Sequence, residues 1–311
     1  LDLMTLDMLP NTNQRVKQML PLNRYNFYEL LEQRNYEMQY VRNCLQVNNG
    51  PGPDGRYRFS DLSLMSGVAA TDWSWSVLFA DYDNDRRRDI FISNGFPHDV
   101  TDMDFAEFRS GDESLFADTT ELLAQIPRVK IRNFLYHNRG ALHFEDVSEA
   151  WGLDAPSFSN GAAYGDLDND GDLDLVVNNI NDPAFLYENR SAQLHPERRW
   201  LRVAFDGPPQ NRGGIGARLT LEVDAHRDYY EHYPVRGYIS SMAPGTHFGL
   251  GAADTVDRLT VRWPDGLVQV LEDVPAGQTL RLDYGAAALP AAPAAADAPA
   301  PFFEAVADLG L

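Results

Sequence analysis

Within YGDLDNDGDLDLVVN, residues 164–178, acidic side chains stand at positions one, three, five, seven and nine of a loop from Asp166 to Asp174, with Gly171 at position six. Alternate carboxylates on a tight curl converge on one centre, which is what Ca2+, a hard cation taking six to eight oxygens, requires. Asp166, Asp168 and Asp170 are expected as side-chain ligands, Asp172 through its carbonyl, and Asp174 as the residue that closes the site. Position twelve is Val177, so the bidentate Glu of an EF-hand is missing, and the apolar run Leu175–Val177, with β-branched Val176 and Val177, favours a strand over an exiting helix.

The pattern recurs. Asp81–Asp89 reads DYDNDRRRD and leads into the apolar run Ile90–Ser93 and Asn94. Its candidate ligands are Asp81, Asp83, Asp85, the carbonyl of Arg87, and Asp89. The opening LDLMTLD aligns with LDLVVNN at 173–179, which makes Asp2 a ninth-position residue. Asp2, Asp89 and Asp174 then fall roughly every 85 residues, the mark of a repeat architecture. The two complete loops differ in charge, because Arg86, Arg87 and Arg88 offset four carboxylates in the first while the second has five carboxylates and no base, giving −1 and −5. Calcium is therefore expected to bind more tightly at Asp166–Asp174, with Asp81–Asp89 weak or empty. Arg86 at position six would be strained there if the turn needs a left-handed backbone.

The remaining units repeat as well. RNCLQVNNG (42–50), RNFLYHNRG (132–140) and AFLYENRS (184–191) each read as a strand entering an Asn turn, and RFSDLSLMSGV (58–68), HFEDVSEAWGL (143–153) and FFEAVADLGL (302–311) each read as a Phe-led phrase. Two helical excursions interrupt them. The first comprises Gln14–Leu20 and Tyr25–Gln39 around Pro21, with Phe27, Leu30, Leu31 and Met38 spaced as a core-packing stripe. The second is Val100–Ile126, stopped by Pro127. Without these inserts each unit carries about four short strands, the content of a propeller blade. About three units are present and a propeller needs four to eight, so further blades, together with the true N-terminus, are expected upstream.

At 311 residues the chain is long enough for about two domains. A net charge of −20 argues against a nucleic-acid partner and suits calcium. The single Cys44 excludes an internal disulfide, and no run approaches the ~20 apolar residues of a membrane span.

The paired acidic loops, the FLYxN turns and the F-x-D-V phrases resemble FG-GAP/VCBS repeats of integrin-α-like propellers, and residues 71–95 closely resemble the version in large bacterial secreted proteins related to cartilage acidic protein. NRGGIGARL, GYISSMAPGTHFGLG and VRWPDG, within 200–284, resemble the ASPIC/UnbV domain that accompanies such repeats. The resemblance implies calcium in the repeat loops and no defined activity for the second domain. Arg86 departs from it, since the family has Gly there. The expected architecture is all-β: truncated propeller blades with helical insertions over 1–190, a β-sandwich-like domain over 198–285, an Ala/Pro linker over 286–301, and the start of another repeat over 302–311.

Other chemistry is weakly signalled. Glu222, Asp224, Asp228 and Glu231 do not single out an acid/base pair, and His226, His232 and His247 lack zinc spacing. Gly213–Gly216 lacks the Lys-Ser/Thr of a phosphate loop. Trp73 and Trp75 read as core rather than as a sugar-stacking platform. The expected function is non-enzymatic: a calcium-binding, extracytoplasmic adhesion or scaffold protein that meets a protein or glycan ligand at the cell surface. The alternative is polysaccharide handling through the sandwich.

Overall fold

A computed structural model describes residues 1–20, 25–37 and 40–290. The chain is all-β, and three antiparallel sheets come first. The first has the order β1 (Leu3–Thr5), β2 (Cys44–Pro51), β3 (Tyr57–Asp61). The second contains β4 (Ser74–Ala80) and β5 (Asp89–Asn94). After β6 (Ile131–Arg132) it is completed by β7 (Phe134–Asn138) and β8 (Phe144–Asp146), in the order β4-β5-β7-β8. β9 (Pro156–Ser157) pairs with β6, and the third sheet runs β10 (Ser159–Gly165), β11 (Asp174–Asn179), β12 (Phe185–Tyr187). Each acidic loop is the turn of a hairpin, with Ala80 opposite Asp89 and Gly165 opposite Asp174.

Both helical excursions leave their sheet at the same point, between the strand after the acidic loop and the strand entering the Asn turn. The first holds α1 (Asn13–Gln18), capped by Thr12, and α2 (Tyr25–Gln33). The second holds α3 (Met103–Ser110) and α4 (Thr119–Ala124), the latter started by a capping box between Asp118 and Glu121. One expectation fails here. α2 has no buried residue, and Phe27 and Leu30 are 52% and 43% exposed. The 3.6-residue spacing is present, with Phe27 against Tyr28 and Tyr28 against Tyr40. Pro21, Met38, most of the Ala/Pro linker and the Phe302 phrase lie outside the described residues.

The Asn turns have a reason. In all three sheets the ninth-position Asp accepts the backbone N–H of the turn Asn through Oδ1: Asn48 to Asp2 at 2.8 Å, Asn138 to Asp89 at 2.9 Å, Asn189 to Asp174 at 2.9 Å. The Asn side chain returns a bond to the carbonyl just before that Asp, at Leu1, Arg88 and Leu173. Its Oδ1 then accepts from Gly50, Gly140 or Ser191 two residues on, closing an Asx turn. The Phe-led phrases carry a second device. Asp61 and Asp146 cap the following Ser63 and Ser148 and pair with Arg42 and Arg132.

Apolar alternation seals the sheets against one another. Leu45, Val68, Ile90, Ile92, Phe134 and Phe144 fill the space between the first and second sheets. Phe91, Leu135, Val147 and Leu153 meet Leu173, Leu175 and Val177 between the second and third.

After α5 (Ser191–Leu194) comes a sandwich. β13 (Arg199–Asp206), β14 (Arg218–Val223), β15 (His226–Glu231), β16 (Thr246–Gly251), β17 (Thr255–Arg262), β18 (Val268–Pro275) and β19 (Gln278–Asp283) form sheets β16-β13-β19 and β15-β14-β17-β18. Leu201, Leu219, Leu221, Leu250, Leu259, Val261 and Trp263 lie between them, buried to within 1%. Trp263–Gly266 forms a hairpin turn between β17 and β18, with Gly266 at φ 92°. β13 and β19 pair in parallel, and β15 ends at Glu231, after which residues 232–245 cross onto the repeats, where Tyr238 N donates to Ser76 Oγ and Tyr164 N to Met242 Sδ.

Candidate metal centre

In the second loop the carboxylates of Asp166, Asp168 and Asp170 offer oxygens all within 4.8 Å of one another. Asp166 Oδ1 is buried with no hydrogen-bond partner, and burial holds its pKa above the usual carboxylate range. None of the three is in an ion pair among the described residues. Gly171 takes φ 93°, the left-handed conformation expected of position six.

Asp172 and Asp174 stand apart from that group. Asp172 turns its carboxylate to the first turn of α5, accepting from Ala192 N at 3.0 Å, and burial pushes its pKa up to about 7. Asp174 accepts Leu167 N and Asn189 N, one on each oxygen, and so acts as the clamp that shapes the hairpin.

The first loop is organised differently. Asp81, Asp83 and Asp89 form one close group, and Asp83, Asp85 and His137 another. The cationic positions are already taken by protein. Arg198, from the segment leading into β13, places Nη1 2.7 Å from Asp83 Oδ2 and 2.7 Å from the Asp83 carbonyl. Asp81 accepts from Asp85 N and Arg86 N, and Arg87 pairs with Asp85 at 3.2 Å. Burial, reinforced by the neighbouring carboxylates, raises the pKa of Asp81 well above the ordinary value; burial also pushes Asp89 up to about 8.

Arg86 does adopt a left-handed backbone, at φ 79°, but its side chain leaves the loop. Its Nη2 donates to Val223 O at 2.9 Å, while Arg88 donates to Tyr229 O and lies over the Tyr230 ring. The arginines that lower the loop's charge thus hold the sandwich. Asn84 completes the joint: its Nδ2 donates to Gly171 O in the other acidic loop, and its carbonyl accepts Gly251 N.

With Nδ2 so engaged, Asn84 Oδ1 must accept, so His247 donates from Nε2 across 2.8 Å and is the neutral Nε2–H tautomer. Burial, helped by Arg202, depresses the His247 pKa to about 4. A group depressed from its ordinary 6.5 contributes stability that is present above the unfolded value and lost as pH falls through the window from 6.5 to 4. The stability difference between the wild type and His247→Gln, measured by denaturant titration, is therefore expected to shrink as pH falls through that window. A pH-independent difference would contradict this tautomer and burial.

The remaining polar candidates are dispersed. Glu222 pairs with Arg227, Glu231 with Arg218, and Asp224 with Arg86. Asp228 is raised by burial, offset by Arg88 and Arg86. His232 meets Thr246 and stacks on Phe205, and His226 opens β15. Trp73 stacks on Phe96, which Trp75 also touches, and Trp75 packs on Tyr238 and donates to Gly95 O. Sequence reasoning missed Arg198, 115 positions from Asp83, and the clamp that Asn189 makes with Asp174, 15 positions away. The repeated N in FLYHN and FLYEN was the available signal for Asn189.

Residues 207–289 match the family model for ASPIC and UnbV, and residues 128–177 match that for an FG-GAP-like repeat. Among curated proteins, cartilage acidic protein 1 of Homo sapiens is 25% identical over 221 residues, covering 68% of this chain and 28% of that protein. Its Xenopus tropicalis counterpart is 26% identical over 231 residues, with 72% and 30% covered. The chain spans less than a third of the length of these relatives.

Proposed function

We propose that this chain, which joins an FG-GAP-like repeat to an ASPIC and UnbV domain, is part of a non-enzymatic extracellular protein that binds calcium and serves adhesion or scaffolding, with a protein or glycan ligand at the cell surface. Similarity to cartilage acidic protein 1 supports the extracellular placement, and a charge of −20 suits a cation ligand. The observation that carries the calcium reading is the second loop, where three converging carboxylates include a buried oxygen without a partner and none of the three is in an ion pair among the described residues. Asp166, Asp168 and Asp170 would hold the ion, which supplies the positive charge the cluster lacks. The first loop is the joint to the sandwich, held by Arg198 in place of an ion.

Extracellular modules bind calcium at ~10⁻⁴ to 10⁻³ M, so millimolar calcium stands at about one to ten times Kd and stabilises by roughly 0.4–1.4 kcal/mol. It is expected to raise the unfolding midpoint by about one to a few degrees. Asp168→Ala, at an exposed position, removes most of that rise and leaves the metal-free protein nearly unchanged. Asp83→Ala lowers the metal-free midpoint, because it strands Arg198, but retains the calcium response. Scanning calorimetry with and without chelator reads both variants. A calcium response that survives Asp168→Ala and vanishes in Asp83→Ala would reverse the assignment.

A further inference from the structure

We propose that the segment Phe303–Leu311 of this same chain adds to the third sheet as its fourth strand, beside β12, so that the sandwich is an insertion within that blade rather than a domain appended after it. The second sheet has four strands and the third has three, ending on an edge at β12 whose equivalent, β7, is covered by β8. In both sheets that possess the Phe-led strand the register is the same, with Asn48 opposite Phe59 and Asn138 opposite Phe144. The turn Asn of the third sheet, Asn189, already has its full set of clamp bonds, so the same register places Phe303 opposite it.

The apolar face waiting there is specific. Val176 and Leu186 occupy the positions of Phe91 and Leu135. The latter two are 0% and 4% exposed in a cluster formed by Val147, Leu153 and the third sheet's Leu173, Leu175 and Val177, whereas Val176 and Leu186 are 37% and 68% exposed. FEAVADLGL supplies Val306 where FEDVSEAWGL has Val147 and, after a segment one residue shorter, Leu311 for Leu153. The backbone bond from Val147 N to Leu135 O, matched by Leu62 N to Leu45 O, would recur from Val306 N to Leu186 O.

A paired substitution supports the match. Arg42–Asp61 and Arg132–Asp146 join the two strands in the first and second sheets. In the third sheet Pro183 stands in the Arg position and Ala305 in the Asp position, so both partners are absent together and no charge is stranded. One pairing is unfavourable: Glu304 would face Glu188, where the second sheet has Glu145 facing His137. Glu188 is exposed, which limits that repulsion to a screened surface contact. Twelve residues, 291–302, span at most about 40 Å at full stretch.

The test uses the full chain with Cys44→Ser, Glu188→Cys and Glu304→Cys. Facing residues on paired strands have the separation a disulfide needs. Mild oxidation at low protein concentration is expected to give an intrachain disulfide, identified by peptide mapping, while Glu188→Cys with Asp308→Cys gives little. A bond formed only between chains, or equally in both pairs, would overturn the proposal and assign the edge to a second copy or to no fixed occupant. Independently, Val306→Asp in the otherwise native chain is expected to speed hydrogen exchange at residues 185–189 by about tenfold or more. Unchanged exchange there would also overturn it.

Discussion

Replacing Arg15 with Met is expected to cost about 3–5 kcal/mol, because it removes one partner of a buried ionic cluster and strands the others. Arg15 sits on α1 with its side chain 8% exposed, and it reaches into the second sheet's approach to contact Asp72 at 3.0 Å and Asp99 at 2.5 Å. Those carboxylates are 1% and 2% exposed. Asp72 stands in a left-handed conformation at φ 64°, with its N–H on Leu9 O and its Oδ1 capping Trp73 N. The cluster ties the first helical excursion to the start of β4, and Met can fill the volume but cannot answer the charge. Burial already pushes the Asp72 pKa up even with Arg15 beside it. Without the guanidinium the site would favour protonation, so the loss is expected to be larger at pH 7 than at pH 4. Denaturant unfolding followed by tryptophan fluorescence measures it, with Trp73 as a local probe. A loss under about 1 kcal/mol would show that the cluster is dispensable.

That arginine marks where the sequence stopped being legible. The acidic loops, the Asn turns and the Phe-led phrases are local patterns whose residues lie within a few positions of one another, so their spacing alone carried the strand–loop–strand order and the all-β class. Partners that cross the chain left no such signature. Arg198 reaches Asp83 across 115 positions, and Arg86 reaches Val223 across 137. Counting charges within the first loop put all three arginines in competition with calcium, whereas Arg86 and Arg88 are spent on the sandwich. Asp174 was read as the residue that closes the site from the alternate spacing of carboxylates in its own loop; its two oxygens accept Leu167 N and Asn189 N, and the same bond to a turn Asn recurs at Asp2 and Asp89. The parallel pairing of β13 with β19 is set by the sandwich core and not by alternation, which is the same for either direction. The α2 stripe shows the converse: its periodicity is real, but a stripe reports only that one face is apolar, not that anything in the described chain covers it.

The position-six residues of the two loops give the other large effect, and they separate backbone strain from packing. Gly171→Ala is expected to destabilise by about 2–4 kcal/mol, combining roughly 1 kcal/mol for a side chain in a left-handed backbone with 1–3 kcal/mol for overpacking. The added Cβ would fall 1.7 Å from Trp200 Nε1 and 2.0 Å from its Cε2, so the indole must leave the loop. Trp200 also stacks on His247, with ring centres 6.2 Å apart, and His247 holds Asn84; displacing it therefore loosens both acidic loops from the sandwich at once. Arg86→Gly in the other loop is the matching control. It relieves the left-handed strain by roughly 1 kcal/mol and gives up the bond to Val223 O, worth about 0.5–1.5 kcal/mol, so the net change is expected to stay within about 1 kcal/mol. Gly171→Ala should further red-shift tryptophan emission and weaken the calcium-dependent rise in midpoint, because the turn that gathers Asp166, Asp168 and Asp170 is the one being forced. Equal small effects at both positions would mean that Trp200 moves aside freely, and that the second loop's shape does not depend on the sandwich packed against it.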